Sequence, residues 1–357
     1  MFLILGFVAC GGNDDRPETA AAISYSPAEI SVGNEEAVQP LYITCEREWT
    51  LYSDDSWITC VKSAAGSDGN ATATITANPS FSEREGAIVI KSGTARASIP
   101  VKQAGRPELP VDPDILVPQG YRLVWQDEFN DPARFMPDEN LWWYEVWEPG
   151  RVNNELQRYV AGRQGDELTA EVSNGILKIH ARKAGNEVIS ARINTKESWK
   201  YGYFEASLKL PVGRGTWPAF WMMPKQEGQW PDCGEIDIME EVGYHPDYVS
   251  SSIHCKAYNH VAGTQKTKET LVASAQTAFH VYALEWTEGF IRTYIDGKEL
   301  FYFPNNGAGK DTWPFDAAFY LKLNLAWGGD WGGAQGTDES ALPATYEIDY
   351  VRVFQKK

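Results

Sequence analysis

Gly234-Glu235-Ile236-Asp237-Ile238-Met239-Glu240-Glu241-Val242-Gly243 has the alternation of a β-strand, in which side chains two apart point to the same face. Glu235 and Asp237 therefore share a face. Glu240, five positions beyond Glu235, falls on the opposite face of a regular strand and joins them only if an extra residue is taken up as a β-bulge near Ile238 or Met239. With that bulge, three carboxyls converge. Two carboxyls on one cleft, one ionised and one protonated, meet the requirement for hydrolysis of a glycosidic bond, a nucleophile for the anomeric carbon and an acid for the leaving oxygen. Asp237 is placed to share a proton with Glu235 and, by like-charge coupling, to raise the pKa of the acid. The same letters also suit a solvated acidic strand in an acidic protein, and the flanks distinguish the two.

On both sides of this stretch the pattern is strand after strand. Tyr121–Phe129, Gly175–Arg182, Tyr201–Leu210 and Phe319–Leu325 alternate with period two. Ile291–Ile295 and Lys298–Phe301 flank Asp296-Gly297, a two-residue hairpin signal. No long helical period intervenes, so the economical fold is a sandwich of two antiparallel sheets with one concave face for the cleft. Ser250–Cys255 reads as the next strand, from which the imidazole of His254 reaches the acid/base to tune or orient it; an ordinary sheet histidine fits the same pattern. The glycine-rich Gly328–Gly333 has no following helix to cradle a phosphate and reads as a rim loop. The five histidines have no zinc-ligand spacing.

Three motifs in order, Asn153-Asn154-Glu155-Leu156-Gln157, Gly215–Pro224 (Gly-Thr-Trp-Pro-Ala-Phe-Trp-Met-Met-Pro) and the E-x-D-x-x-E of Glu235, Asp237 and Glu240, resemble those of the laminarinase-type members of glycoside hydrolase family 16. The resemblance runs over residues ~119–355. It implies a concanavalin A-like jelly-roll β-sandwich and a retaining endo-β-glucanase acting on β-1,3- and/or mixed β-1,3/1,4-glucan without a catalytic cofactor. Glu235 would then be the nucleophile, Glu240 the acid/base and Asp237 an assisting acid. Asn154, Arg192, Glu205, Trp230 and Asn324 occupy positions resembling sugar-contacting residues of the family, with Trp221, His254 and Trp331 as further candidates. The resemblance also implies a structural calcium held by Glu128, the Gly175 carbonyl and Asp349, oxygen ligands of the kind calcium prefers. The catalytic strand alone also fits agarase- or porphyranase-type hydrolases of marine galactan, and the sandwich fits a non-catalytic surface glycan-binding protein. A sulfated galactan calls for a basic cleft, whereas the cleft segments supply mainly Arg192 among Asn, Trp and Glu, so a neutral β-glucan is favoured.

Before this domain, residues 23–105 also read as all-β, with short alternating runs such as Ala71–Thr76 and Ala87–Ile90 between Gly, Asn, Ser and Pro turns. Trp49-Thr50-Leu51 through Ser56-Trp57-Ile58, Asn78-Pro79-Ser80 through Arg84, and Val101–Gly105 resemble the BACON domain, an immunoglobulin-like β-sandwich. That reading makes Trp49 and Trp57 core residues and favours a spacer over a sugar-binding module. Residues 106–118 carry spaced prolines and read as an extended linker, giving a catalytic domain at 119–357.

Residues 1–22 read as a lipoprotein signal and tether. The apolar run Met1–Ala9 is too short to span a bilayer and ends at Cys10, the expected lipidation site, with Asp14-Asp15 following as in surface-exported lipoproteins of Bacteroidetes. The expected location is the cell surface, on the outer membrane. Of the other cysteines, Cys45 with Cys60 and Cys233 with Cys255 are the within-domain pairings, and free thiols are equally consistent. Among 357 residues the 49 acids outnumber the 32 bases, a net charge of -17 that repels nucleic acid. The expected partner is an uncharged polysaccharide and the expected state a monomer. With 14 Trp and 17 Tyr, rings are available as platforms for the C–H faces of sugars.

Overall fold

The computed structural model describes residues 22–63, 68–107, 118–226 and 228–357. Cys10, with the leader and tether as far as residue 21, and residues 108–117 of the expected linker lie outside the described residues. The chain divides into two compact units, Met1–Glu108 and Leu109–Lys357.

The first unit is two four-stranded sheets. One has the order Ile23–Ser26, Ala37–Cys45, Asp68–Ile75, Ile58–Lys62; the other runs Ile30–Val32, Ala95–Gln103, Arg84–Ser92, Thr50–Tyr52. Alternate residues of the long strands, among them Leu41, Ile43, Ile88, Ile90, Ile99 and Val101, meet between the sheets and exclude water. Trp49 is buried there, with the Lys62 ammonium 4.0 Å from its ring centre. Trp57 is half-buried against the same core under the Arg84 guanidinium. Neither indole is an open sugar platform.

The second unit is a sandwich of a seven-stranded and a ten-stranded sheet. The seven-stranded sheet carries the carboxyls, in the order Trp142–Tyr144, Arg192–Thr195, Phe319–Trp327, Thr216–Pro224, Glu235–Glu240, Tyr248–His254, Lys266–Leu271. Its faces differ in chemistry rather than in burial. Along Phe319–Trp327, Leu321, Leu323 and Leu325 turn into the sandwich, whereas Lys322 and Asn324 are equally buried on the other face. One face is a dry core; the other is a polar floor. The ten-stranded sheet meets the core with Phe204, Ala206 and Leu208 of Gly202–Lys209. The expected hairpin forms between Phe290–Ile295 and Lys298–Pro304, with Asp296 and Gly297 both at positive φ.

The edge strand Lys266–Leu271 is not among the strands that alternation marks in the sequence. All six residues are exposed, so no apolar alternation marks them. The cysteine pairings left open are not formed. Cys60 is a free thiol, and the Cys233 and Cys255 thiols donate to the carbonyls of Gly234 and Thr312.

Candidate active site

The carboxyl-bearing strand Glu235–Glu240 is framed by two glycines that no other residue replaces without strain. Gly234 sits at φ +88°, and a Cβ on Gly243 would lie 1.9 Å from the Gly213 carbonyl oxygen. Between them the ladder slips once. Against Thr216–Pro224, Trp221 faces Asp237 and Phe220 faces Met239, so Ile238 is skipped. Against Tyr248–His254, Asp237 faces Ser252 and Glu240 faces Ser250, so Ile238 and Met239 together oppose Ser251. This is the bulge the carboxyl spacing demands. Glu235, Asp237 and Glu240 consequently stand opposite His254, Ser252 and Ser250, alternate residues of one face.

Glu235 and Glu240 line a cleft of about 590 Å³. The indole N–H of Trp230 donates to Glu235 Oε2 at 3.1 Å, and that of Trp217 to Glu240 Oε1 at 3.0 Å. His254 Nε2 lies 3.3 Å from Asp237 Oδ2 and 4.0 Å from Glu235 Oε1. Burial, then the charge of Asp237, pushes Glu235 up to about 8, against the pull of His254 and Trp230. Burial and Asp237 likewise hold Glu240 well above the ordinary carboxyl range, against Trp217, and burial raises Asp237 itself. Three carboxyls in a poorly hydrated space cannot all ionise, so the cluster retains protons near neutral pH.

Beside the carboxyls, the floor is a hydrogen-bonded sheet of side chains. Trp221 donates to Asn324 Oδ1 at 2.7 Å, and Asn324 donates to the Tyr159 hydroxyl at 3.2 Å. Arg192 lies under this layer, 3% exposed, against Glu145 at 3.4 Å and Glu155 at 3.5 Å, with its guanidinium over the rings of Trp147 and Tyr159. Lys322, 2% exposed, donates to Glu145 at 2.6 Å and Asn194 at 2.7 Å. Both cations are therefore neutralised from within the protein, and Arg192 holds the floor rather than lining the cleft. On the rim, Trp331 belongs to a single helical turn, Gly329–Gly332, and packs edge-on against Trp217. Asn154 donates to Asp330 at 2.8 Å, and it is the neighbouring Asn153 that lines the cleft.

Glu205 is not brought to the cleft. On Gly202–Lys209 the even positions fill the core, which sends Glu205 to the outer face of the ten-stranded sheet, 3.6 Å from Arg352. At the expected calcium set, the Glu128 side chain is taken up by Arg352, which donates to both its carboxylate oxygens at 2.7 and 2.8 Å, and Asp349 accepts from Ser207. Gly175, the expected carbonyl ligand, stands at positive φ. Among the described residues, the one group of three close acid or histidine side chains is Glu235, Asp237 and His254, which is the carboxyl cluster itself.

The sequence reading missed Trp217, which donates to Glu240, and the far wall of the cleft, His260, Gln265, Thr267 and Glu269. Trp217 had a usable signal. It lies two residues before Ala219, the register partner of Glu240, and so on the same face.

Residues 157–352 match the family described as Glycosyl hydrolases family 16, and residues 47–104 match BACON, described as a putative N-terminal binding domain. A β-glucanase of Rhodothermus marinus is 47% identical over 249 residues, covering 66% of this chain and 85% of that protein. Among solved structures, the laminarinase from Rhodothermus marinus aligns with a TM-score of 0.63 at 46% identity, over 66% of this chain and 98% of that one. SCLam, a non-specific endo-β-1,3(4)-glucanase of the same family, aligns with a TM-score of 0.63 at 44% identity, over 68% and 94%.

Proposed function

The chain belongs to glycosyl hydrolases family 16, and on that premise we propose that it is a retaining endo-β-glucanase, acting on β-1,3-glucan and mixed β-1,3/1,4-glucan. The observation that carries the reading is the bulge at Ile238, which turns Glu235 and Glu240 into one cleft.

Glu235, as carboxylate, attacks the anomeric carbon while Glu240 gives its proton to the departing glycosidic oxygen, leaving a glycosyl ester on Glu235. Water then attacks that ester's anomeric carbon, Glu240 takes the water's proton, and the sugar leaves with its original configuration. Trp230 and His254 favour the charged form of Glu235. Asp237, between the two, takes up the proton that three crowded carboxyls must share. Proton NMR of the first-formed reducing ends tests the stereochemistry. An α-anomer as first product refutes a double displacement on a β-glucan.

The choice of a neutral glucan rests on charge. Glu235, Glu240, Glu269 and Asp330 line the cleft, and among the described residues that line it there is no Lys or Arg. A sulfated chain would be repelled. Oligosaccharide release is therefore expected from laminarin and barley β-glucan, and none from a sulfated galactan; release from the galactan alone would overturn the substrate assignment. We place the enzyme as a monomer on the cell surface, anchored through Cys10. Incorporation of a labelled fatty acid that survives Cys10→Ser would contradict the anchor.

A further inference from the structure

Ser251 stands where the bulge opposes a single residue, and its side chain points away from the cleft. Its neighbours of like parity, Val249 and Ile253, are fully buried in the sandwich, as Ser251 is. A serine in that row is out of keeping with an apolar core unless its hydroxyl is used. It donates to the Ile238 carbonyl at 2.5 Å and accepts from the Thr293 hydroxyl at 2.9 Å. Thr293, 1% exposed, belongs to Phe290–Ile295 of the opposite sheet. A polar bridge thus crosses the core from one sheet to the bulged residue of the other.

We propose that Ser251 and Thr293 are positioning residues for Glu240, pinning the Ile238 bulge so that the acid/base stays in the cleft opposite Glu235. The inference rests on the glucanase reading above. Ile238 has no register partner on Thr216–Pro224 and shares its partner on Tyr248–His254. Ladder pairing therefore holds it less firmly than any neighbour, and a buried carbonyl left without a donor would favour a shifted register. A shift of one residue would turn Glu240 to the core side. Hydroxyls fixed from the far sheet oppose that slip.

The test compares Ser251→Ala, Thr293→Val and Thr293→Ser with the wild type. Valine keeps threonine's shape and loses the donor; serine keeps the donor and loses a methyl group. If the hydroxyl matters, Thr293→Val and Ser251→Ala lower kcat on laminarin about 10- to 100-fold with KM within about twofold, and Thr293→Ser stays near wild type. A merely packing role gives the reverse order, since serine leaves the larger void. The pH profile supplies a second readout. Groups that face or couple to Glu240 are Glu235 and Asp237 on its own strand, His254 on the next, and His260, Glu269 and Asp330 around the cleft. Release of Glu240 from this crowd moves the alkaline limb of kcat/KM to lower pH, whereas simple destabilisation scales activity down without moving it. Hydrogen exchange at Ile238 to Glu241 should quicken in Ser251→Ala and Thr293→Val and not in Thr293→Ser. That readout needs no turnover. A wild type idle on every β-glucan would sink the glucanase reading, and the pin would then stand or fall on exchange alone. Thr293→Ser as impaired as Thr293→Val, or Ser251→Ala with wild-type kcat and exchange, overturns the pin.

Discussion

Trp217 shows how much one indole N–H can decide. Its bond to Glu240 favours the carboxylate and so works against burial, which favours the acid. In Trp217→Phe that restraint is gone, and the pKa of Glu240 rises further. The alkaline limb of kcat/KM should move to higher pH, and the loss of orientation should cost about tenfold in kcat; a limb that moves down contradicts the assignment. Glu235→Gln tests the cluster differently. Hydrolysis should fall by at least about 10³-fold with oligosaccharide binding kept. Because the folded-state pKa of Glu235 is raised, its favourable contribution to stability is complete below the unfolded value and is lost as pH rises towards about 8. The variant should therefore melt above the wild type at pH 8, by roughly 2–4 °C for each 1 kcal/mol relieved, and level with it at pH 4. Equal melting points at both pH values would refute the burial strain. Residue types were legible wherever chemistry and strand parity coincide, as at Glu235, Asp237 and His254. Glu205 was misplaced because a short motif does not say which of two sheets its strand joins.

At the scale of the strand, legibility follows from how one-sided each element is. Tyr121–Asp127, Gly202–Lys209 and the Asp296-Gly297 hairpin emerged near the places their letters gave, because each sets apolar residues against polar ones or needs positive φ. Lys266–Leu271 did not, since a strand with nothing to bury leaves no pattern. A glycine beyond the end of the carboxyl strand and one at a hairpin tip give a paired prediction. Gly243→Ala forces a methyl group onto the Gly213 carbonyl, and should cost about 2 kcal/mol or more and lower kcat, because Glu240 is three residues away. Gly297→Ala, at positive φ but on a hairpin tip with open space around it, should cost about 1 kcal/mol and leave kcat alone. Denaturant melts and laminarin kinetics on both variants check the pair. Equal losses of kcat would mean that the strand end does not set Glu240.

For the molecule as a whole, charge and division of labour are the readable properties. Every residue placed in the cleft comes from the second unit, so a chain reduced to residues 118–357 should match the full chain on soluble laminarin; a loss of more than about threefold in kcat/KM, roughly 0.6 kcal/mol, would assign the first unit a part in catalysis. The net charge of -17 was informative about what is excluded, but the neutralisation of Arg192 and Lys322 by Glu145 and Glu155 was not legible, since those partners lie 47 and 177 residues apart for the Arg192–Glu145 and Lys322–Glu145 bonds. The exposed wall Lys266–Leu271 has a different kind of consequence. Its side chains bury little, so substitutions there should change stability by no more than about 0.5 kcal/mol, while Thr267 and Glu269 still face whatever occupies the cleft. Descendants of this chain can therefore try new saccharide preferences along that wall without first acquiring a sturdier fold, and a mutational library confined to it should yield altered product patterns more often than insoluble protein.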